Sequence, residues 1–228
     1  MRRLALGLLL LAATLAPGPV SAGPPEGFVD LAEAVPGLQV EARYAGSDNF
    51  VGGPIDGYRR ASALATVAAA DALGRVQAEL SRFGLGLRVY DAYRPARAVA
   101  HFMRWARDPQ ATAMKQRFYP DVAKPRLVAE GYIAERSSHS RGSTVDLTLV
   151  APGPDGELQE LDMGTRWDFF GPESWPDSDR VPPQARANRL LLRELMLRHG
   201  FAPYAREWWH FSLRDEPYPE RIFDFPIE

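Results

Sequence analysis

An aspartate stands inside the apolar run Val145-Asp146-Leu147, in a segment whose alternation and β-branched residues predict a strand from Ser143 to Val150. That placement restricts what the chain can become, because an ionised carboxylate taken out of water is costly unless it is paired or bound to a cation. His210 is similarly placed, between Trp209 and Phe211 in an aromatic stretch, Trp208 to Leu213, that also predicts a strand. The chain has only four histidines. Two of them fall in the short stretches Ser137-Ser138-His139-Ser140-Arg141-Gly142-Ser143-Thr144-Val145-Asp146 and Glu207-Trp208-Trp209-His210. Gly142 allows the backbone to turn between His139 and the strand that carries Asp146.

Taken singly, His139 reads as a polar loop residue, Asp146 as a surface carboxylate and His210 as a packed strand residue. Taken together they are two imidazoles and one carboxylate, a set that suits zinc and leaves a fourth position open. Glu207 is the candidate general base. Residues three apart on an ideal strand point to opposite faces. Glu207 and His210 therefore converge only if the chain turns or bulges at Trp208-Trp209, or if Glu207 precedes the strand. As a fourth ligand, Glu207 would instead close the site and make it structural.

Arg94, in Tyr90-Asp91-Ala92-Tyr93-Arg94-Pro95, ends a predicted strand and precedes a helix, where side chains often project into a cleft. A guanidinium there suits a developing oxyanion; its plainer reading is an exposed salt bridge. Other catalytic kits are missing: no Gly-x-Ser-x-Gly elbow, no cysteine, no P-loop, no dinucleotide fingerprint and no His-Glu-x-x-His helix. His101 is expected to pack within a helix, and His199 to meet a helix C-terminus.

The N-terminus reads as an export signal over residues 1–22. Arg2 and Arg3 precede a thirteen-residue apolar stretch, Leu4 to Ala16, and Val20-Ser21-Ala22 resembles a cleavage site. Its removal leaves 206 residues, 23–228, with 25 basic against 29 acidic side chains and a net charge of −4. That balance points away from nucleic acid and from anionic membranes. No later apolar run is long enough to span a bilayer, so no stable membrane insertion is expected once the signal is cleaved. The absence of cysteine excludes a disulfide-stapled domain. The sequence therefore points to one exported domain, in the periplasm or cell envelope. It does not give the oligomeric state.

Strands are expected at Leu38 to Tyr44, Leu85 to Tyr90, Ser143 to Val150 and Trp208 to Leu213. Helices are expected at Arg60 to Arg82, Ala96 to Arg107, Gln110 to Phe118 and Pro183 to His199. Without a strict βαβ repeat the fold class is α+β.

Ser137-x-His139-x-x-Gly142-x-x-x-Asp146 with Glu207-x-x-His210 resembles the zinc D,D-peptidases of the hedgehog/D,D-peptidase fold. More closely the chain resembles the zinc D-alanyl-D-alanine dipeptidases of the vancomycin-resistance type, over nearly its whole length after the signal. Three stretches carry that closer resemblance. They are Arg43-Tyr44 with Asp48 to Gly52 and Gly57-Tyr58; Asp91 to Pro95; and Asp162-Met163-Gly164 with Trp167-Asp168-Phe169-Phe170.

The resemblance implies a single domain whose central antiparallel sheet is flanked by helices. It implies one Zn2+ per chain on His139, Asp146 and His210, with Glu207 as base and then acid and Arg94 stabilising the transition state. It implies Ser137 on the substrate carboxylate, Asp168 on the free amino group and Tyr44 lining the pocket. The implied reaction is hydrolysis of D-Ala-D-Ala to two D-alanines in cell-wall peptide turnover. A D,D-carboxypeptidase acting on murein stem peptides and a non-catalytic zinc module that binds cell-wall peptides are the other readings. Thr144, where the broad family usually has alanine, is one departure.

Overall fold

A computed structural model describes residues 24–228, so the export signal expected over residues 1–22 lies outside the described residues. The chain opens with β1 (Phe28–Asp30), a single turn α1 (Leu31–Ala34), β2 (Gln39–Val40), β3 (Leu64–Thr66), α2 (Val67–Ser81) and β4 (Gly86–Asp91). It continues with α3 (Ala96–Arg107), two single turns α4 (Lys115–Phe118) and α5 (Arg126–Ala129), β5 (Thr144–Pro152) and β6 (Leu158–Glu160). It closes with α6 (Pro183–Arg198), β7 (Phe201–Tyr204) and β8 (Glu207–Leu213). The architecture is α+β. Among the described residues no helix is long and apolar enough to cross a membrane.

The main sheet runs β2-β4-β5-β8-β7, with β6 paired to β5. It is antiparallel except at one edge, where β2 and β4 run parallel. β5 is the central strand, and its first seven residues are all buried. A strand covered on both faces reads as a nearly continuous apolar run. That is why Val145, Leu147, Leu149 and Val150 are fully buried, and why Asp146 among them stands out.

Three expected elements are shorter than the sequence pattern suggests, the helix expected over Gln110 to Phe118 being only the single turn Lys115–Phe118. Arg60 to Arg82 does not form one helix. Leu64–Thr66 pairs instead with Phe28–Asp30 as a separate ribbon, and Thr66 caps α2 by accepting from the Ala69 amide. Asp30 anchors the preceding loop, taking Arg60 Nη2 at 2.7 Å and the Ser62 hydroxyl. Leu38 to Tyr44 is not one strand either. After Val40 the chain tightens into a 3-10 turn, Arg43–Ala45, which drives the Tyr44 ring into contact with Phe50, Tyr58, Phe102 and Trp167. Burying that ring outweighs extending the strand.

Residues 214–228 form a strap across the base of the site. Tyr93 donates to the Phe225 carbonyl at 3.0 Å, and the two rings stack 4.1 Å apart. The Phe223 amide donates to the Ser140 carbonyl. Asp224 accepts from the Arg97 amide at 2.7 Å, capping α3, whose own N-cap residue, Pro95, supplies no side-chain cap. The strap thereby ties together the backbone around Tyr93, Ser140 and the start of α3.

Candidate metal centre and its cavity

Strand register builds the centre. Asp91 on β4 pairs with Asp146 on β5, and Asp146 pairs with His210 on β8, so the three residues lie abreast. His139 arrives from a 3-10 turn, Ser138–Arg141, that Ser137 caps by accepting from the His139 amide at 3.3 Å. Gly142 ends that turn with φ at 85°, and a Cβ there would collide with the Phe28 ring. Glycine is needed for both reasons.

The three donor atoms converge. His139 Nε2 and His210 Nδ1 are each 3.2 Å from Asp146 Oδ1 and 3.3 Å from one another. Asp146 Oδ1 is buried yet forms no well-angled hydrogen bond, so the atoms aim at a shared point rather than at each other. A tetrahedral zinc site with bonds of roughly 2.0–2.1 Å has ligand–ligand edges of about 3.3 Å. The donor set and the orphaned oxygen therefore fit zinc.

Outer contacts fix each ligand. His139 Nδ1 lies 2.7 Å from the Ala92 carbonyl, which assigns the proton to Nδ1 and leaves Nε2 bare. Asp146 Oδ2 is held by Trp167 Nε1 at 3.4 Å and Arg94 Nη2 at 3.5 Å. His210 Nε2 faces the Ser138 hydroxyl at 3.4 Å. Burial pushes the His210 imidazole below its ordinary value, toward the neutral ligand form, against the opposing pull of Asp146. Burial alone would raise the Asp146 carboxyl; the charge and hydrogen bond of His139, then those of His210, reverse this and hold it well below the carboxylate range.

The convergence of Glu207 and His210 comes from a bulge. Tyr204 pairs with Glu207, but the next residue back, Pro203, pairs with Phe211. One step on β7 is matched by four on β8, and the surplus residues Trp208, Trp209 and His210 turn the strand. Glu207 Oε2 thereby comes within 3.4 Å of His210 Nδ1. Bulges recur beside functional sites because they re-aim side chains in this way. Glu207 stays outside the tight three-donor group. Burial, then the negative charges of Asp146 and Asp168, push its carboxyl well above the usual range.

All eight residues singled out in the sequence line one cavity of about 260 Å³: Tyr44, Arg94, Ser137, His139, Asp146, Asp168, Glu207 and His210. That size lies below the roughly 300–1,000 Å³ of sites for drug-sized ligands and suits a small substrate. Asp168 is buried and takes the Tyr44 hydroxyl at 2.7 Å. Its φ of 58° is the only left-handed backbone of a non-glycine residue among the described residues, a strain that clusters at functional positions. Burial, then the charge of Asp146, raise its carboxyl well above the ordinary range.

Sequence reasoning gave no role to Asp91 or Phe50. Asp91 is buried and accepts from Arg94 Nε and Tyr58 Oη at 2.9 and 2.6 Å, with Arg94 Nη2 also at 2.9 Å. It holds Arg94 so that Nη1 carries no hydrogen bond among the described residues. The signal was present: an aspartate closing an apolar strand three residues before an arginine. Phe50, in the loop after Asn49, adds to the cavity wall. Two histidine expectations concern residues away from the site. His101 lies half-buried on α3, where its Nδ1 accepts from the Asp56 amide at 3.1 Å. His199 does cap α6, with Glu79 at 2.8 Å.

Residues 25–228 match the peptidase family described as D-ala-D-ala dipeptidase. A D-alanyl-D-alanine dipeptidase of Streptomyces coelicolor is 46% identical over 200 residues, 88% of this chain and 96% of that one. One of Enterococcus faecium is 42% identical over 202 residues, 89% of this chain and 98% of that one. One of Escherichia coli is 38% identical over 186 residues, 82% and 84% of the two chains.

Proposed function

Since this chain belongs to the D-ala-D-ala dipeptidase family of peptidases, we propose that it hydrolyses free D-alanyl-D-alanine to two molecules of D-alanine, with zinc as its cofactor. The observation that carries this reading is the β8 bulge, which sets a carboxylate beside the three-donor centre without making it part of that group. A structural site would enclose its metal with a fourth ligand; this one opens on a cavity.

His139, Asp146 and His210 would hold the zinc ion, which when bound polarises the scissile carbonyl and lowers the pKa of water beside it. Glu207 takes a proton from the attacking water and returns it to the amine that leaves, so that water is divided across the peptide bond. Arg94, braced by Asp91, turns Nη1 toward the oxygen on which negative charge develops. Asp168, with Tyr44 donating to it, receives the substrate ammonium at the closed end.

That closed end favours a dipeptidase over a carboxypeptidase. Tyr44, Phe50, Asp168 and Phe170 all line the cavity, and an N-acylated stem peptide would bring an uncharged amide to the Asp168 carboxylate. Because burial raises the Asp168 carboxyl well above the ordinary range, the arriving ammonium is what lets it ionise, and a substrate without one forfeits a pairing worth about 2–5 kcal/mol. Asp168→Ala is therefore expected to lower kcat/KM for the free dipeptide at least about 30-fold. It should also shrink the preference for free over N-acylated dipeptide. The check is D-alanine release by the purified, zinc-loaded protein offered D-Ala-D-Ala and an N-acylated stem peptide ending in D-Ala-D-Ala. Preference for the acylated peptide would move the assignment to a carboxypeptidase, and an unchanged Asp168→Ala variant would remove Asp168 from the pocket's chemistry.

The N-terminal pattern supports export to the periplasm or cell envelope, where peptides released by wall turnover would supply the dipeptide. Cell fractionation with N-terminal sequencing of the mature protein tests this. A cytoplasmic, full-length product would overturn it.

A further inference from the structure

The amino end of the substrate has its partner in Asp168, but a free dipeptide also carries a carboxylate. We infer that Arg136, acting with Ser137, receives that carboxylate at the cavity mouth and so supplies the second half of substrate selection. The inference rests on the dipeptidase reading.

A substrate carboxylate that enters among the carboxyl groups of Asp146, Asp168 and Glu207 is best met by a cation. Two arginines line the cavity, Arg94 and Arg136. Arg94 is spoken for, with Asp91 at 2.9 Å and Asp146 at 3.5 Å. Arg136 is exposed and makes no ion pair among the described residues. Its neighbour Glu135 does not neutralise it, because Glu135 turns to Arg107 at 3.2 Å.

Direction follows from burial. Asp168 and Tyr44 are 4% and 1% exposed, so the ammonium end of a bound dipeptide points inward. The carboxylate end then faces outward, toward the exposed Arg136 on the wall that residues 131–134 and 136–139 contribute. Ser137 follows Arg136 on that wall. Its oxygen already accepts from the His139 amide, which leaves the hydroxyl proton to donate. A guanidinium fork and a hydroxyl are a suitable pair for a carboxylate.

The test compares D-Ala-D-Ala with its C-terminal amide, D-Ala-D-alaninamide, on the zinc-loaded protein and on Arg136→Gln and Arg136→Lys. The readouts are KM and kcat for the acid and the constant with which the amide competes against it. Arg136→Gln is expected to raise KM for the acid about tenfold, the size of one charge-assisted hydrogen bond. Its kcat should stay within about threefold and amide competition should not change, while Arg136→Lys should recover most of the loss. A variant that weakens acid and amide equally, or neither, overturns the assignment of Arg136 and leaves the dipeptidase reading intact. If the unsubstituted protein releases no D-alanine from the acid, the dipeptidase reading falls and this assignment with it.

Discussion

Replacing Glu207 by glutamine is expected to lower kcat for D-Ala-D-Ala by about 10²–10⁴-fold, the usual contribution of a positioned general acid–base group, while zinc content stays at one ion per chain. Glutamine keeps the shape and can still hydrogen-bond, but it cannot take a proton at neutral pH. The geometry separates this effect from metal loss. His139, Asp146 and His210 form a closed set of donor atoms, and Glu207 stands outside it while approaching His210 to 3.4 Å. Its side chain is 12% exposed, and burial together with the charges of Asp146 and Asp168 raises its affinity for a proton. Such a carboxyl holds a proton between the attack and the departure of the amine better than a surface glutamate would. Kinetics with metal analysis of the same preparation decide the matter. Loss of zinc in step with activity would make Glu207 a fourth ligand and the site a closed one. An unchanged kcat would take Glu207 out of the chemistry.

Much of this site was legible in the sequence because its parts sit where local pattern is strong. Asp146 is conspicuous only because Val145 and Leu147 flank it on a fully buried strand. Glu207 and His210 are legible as a pair, yet their convergence needed a bulge whose existence was a stated condition and whose form depends on pairing with β7. What sequence could not supply is contact between distant segments. Asp91 joins Arg94 to Tyr58, 33 residues earlier in the chain, and nothing in either neighbourhood announces that bond. The start of α2 departs from local pattern for a related reason. Helix-favouring residues precede Val67, but pairing of Leu64–Thr66 with Phe28–Asp30 overrides local propensity. Tyr44 left its strand because a ring packed against four aromatic neighbours is stabilised more than one further ladder rung.

Removing zinc with a chelator is expected to abolish turnover and lower Tm by about 5–10 °C without unfolding the protein. The centre is carried by β5, β8 and the turn Ser138–Arg141, and Val145, Leu147 and Phe211 beside it belong to an apolar core that extends well beyond the metal ligands. The fold therefore does not depend on the ion in the way a zinc finger does. What the ion adds is binding free energy, about 2.7 kcal/mol when its free concentration is a hundred times its Kd. Each kcal/mol shifts Tm by roughly 2–4 °C in a chain of this size. The sign for one substitution is less obvious. Asp146→Asn keeps the side-chain volume and removes a buried charge that lies among Asp91, Asp168 and Glu207. Without zinc that charge is still favoured, because His139 and His210 hold the carboxyl well below its usual range, and asparagine forfeits both pairings. The inactive Asp146→Asn protein is thus expected to melt below both the zinc-stripped and the zinc-loaded parent, with no response of Tm to added zinc. Differential scanning calorimetry of the four preparations, with CD spectra at 25 °C, checks each part. A stripped parent that loses its secondary structure would make the centre structural. A parent whose Tm ignores zinc would mean that the three donors do not hold it. An Asp146→Asn variant that melts above the stripped parent would show that the buried charge is a liability when no cation is present.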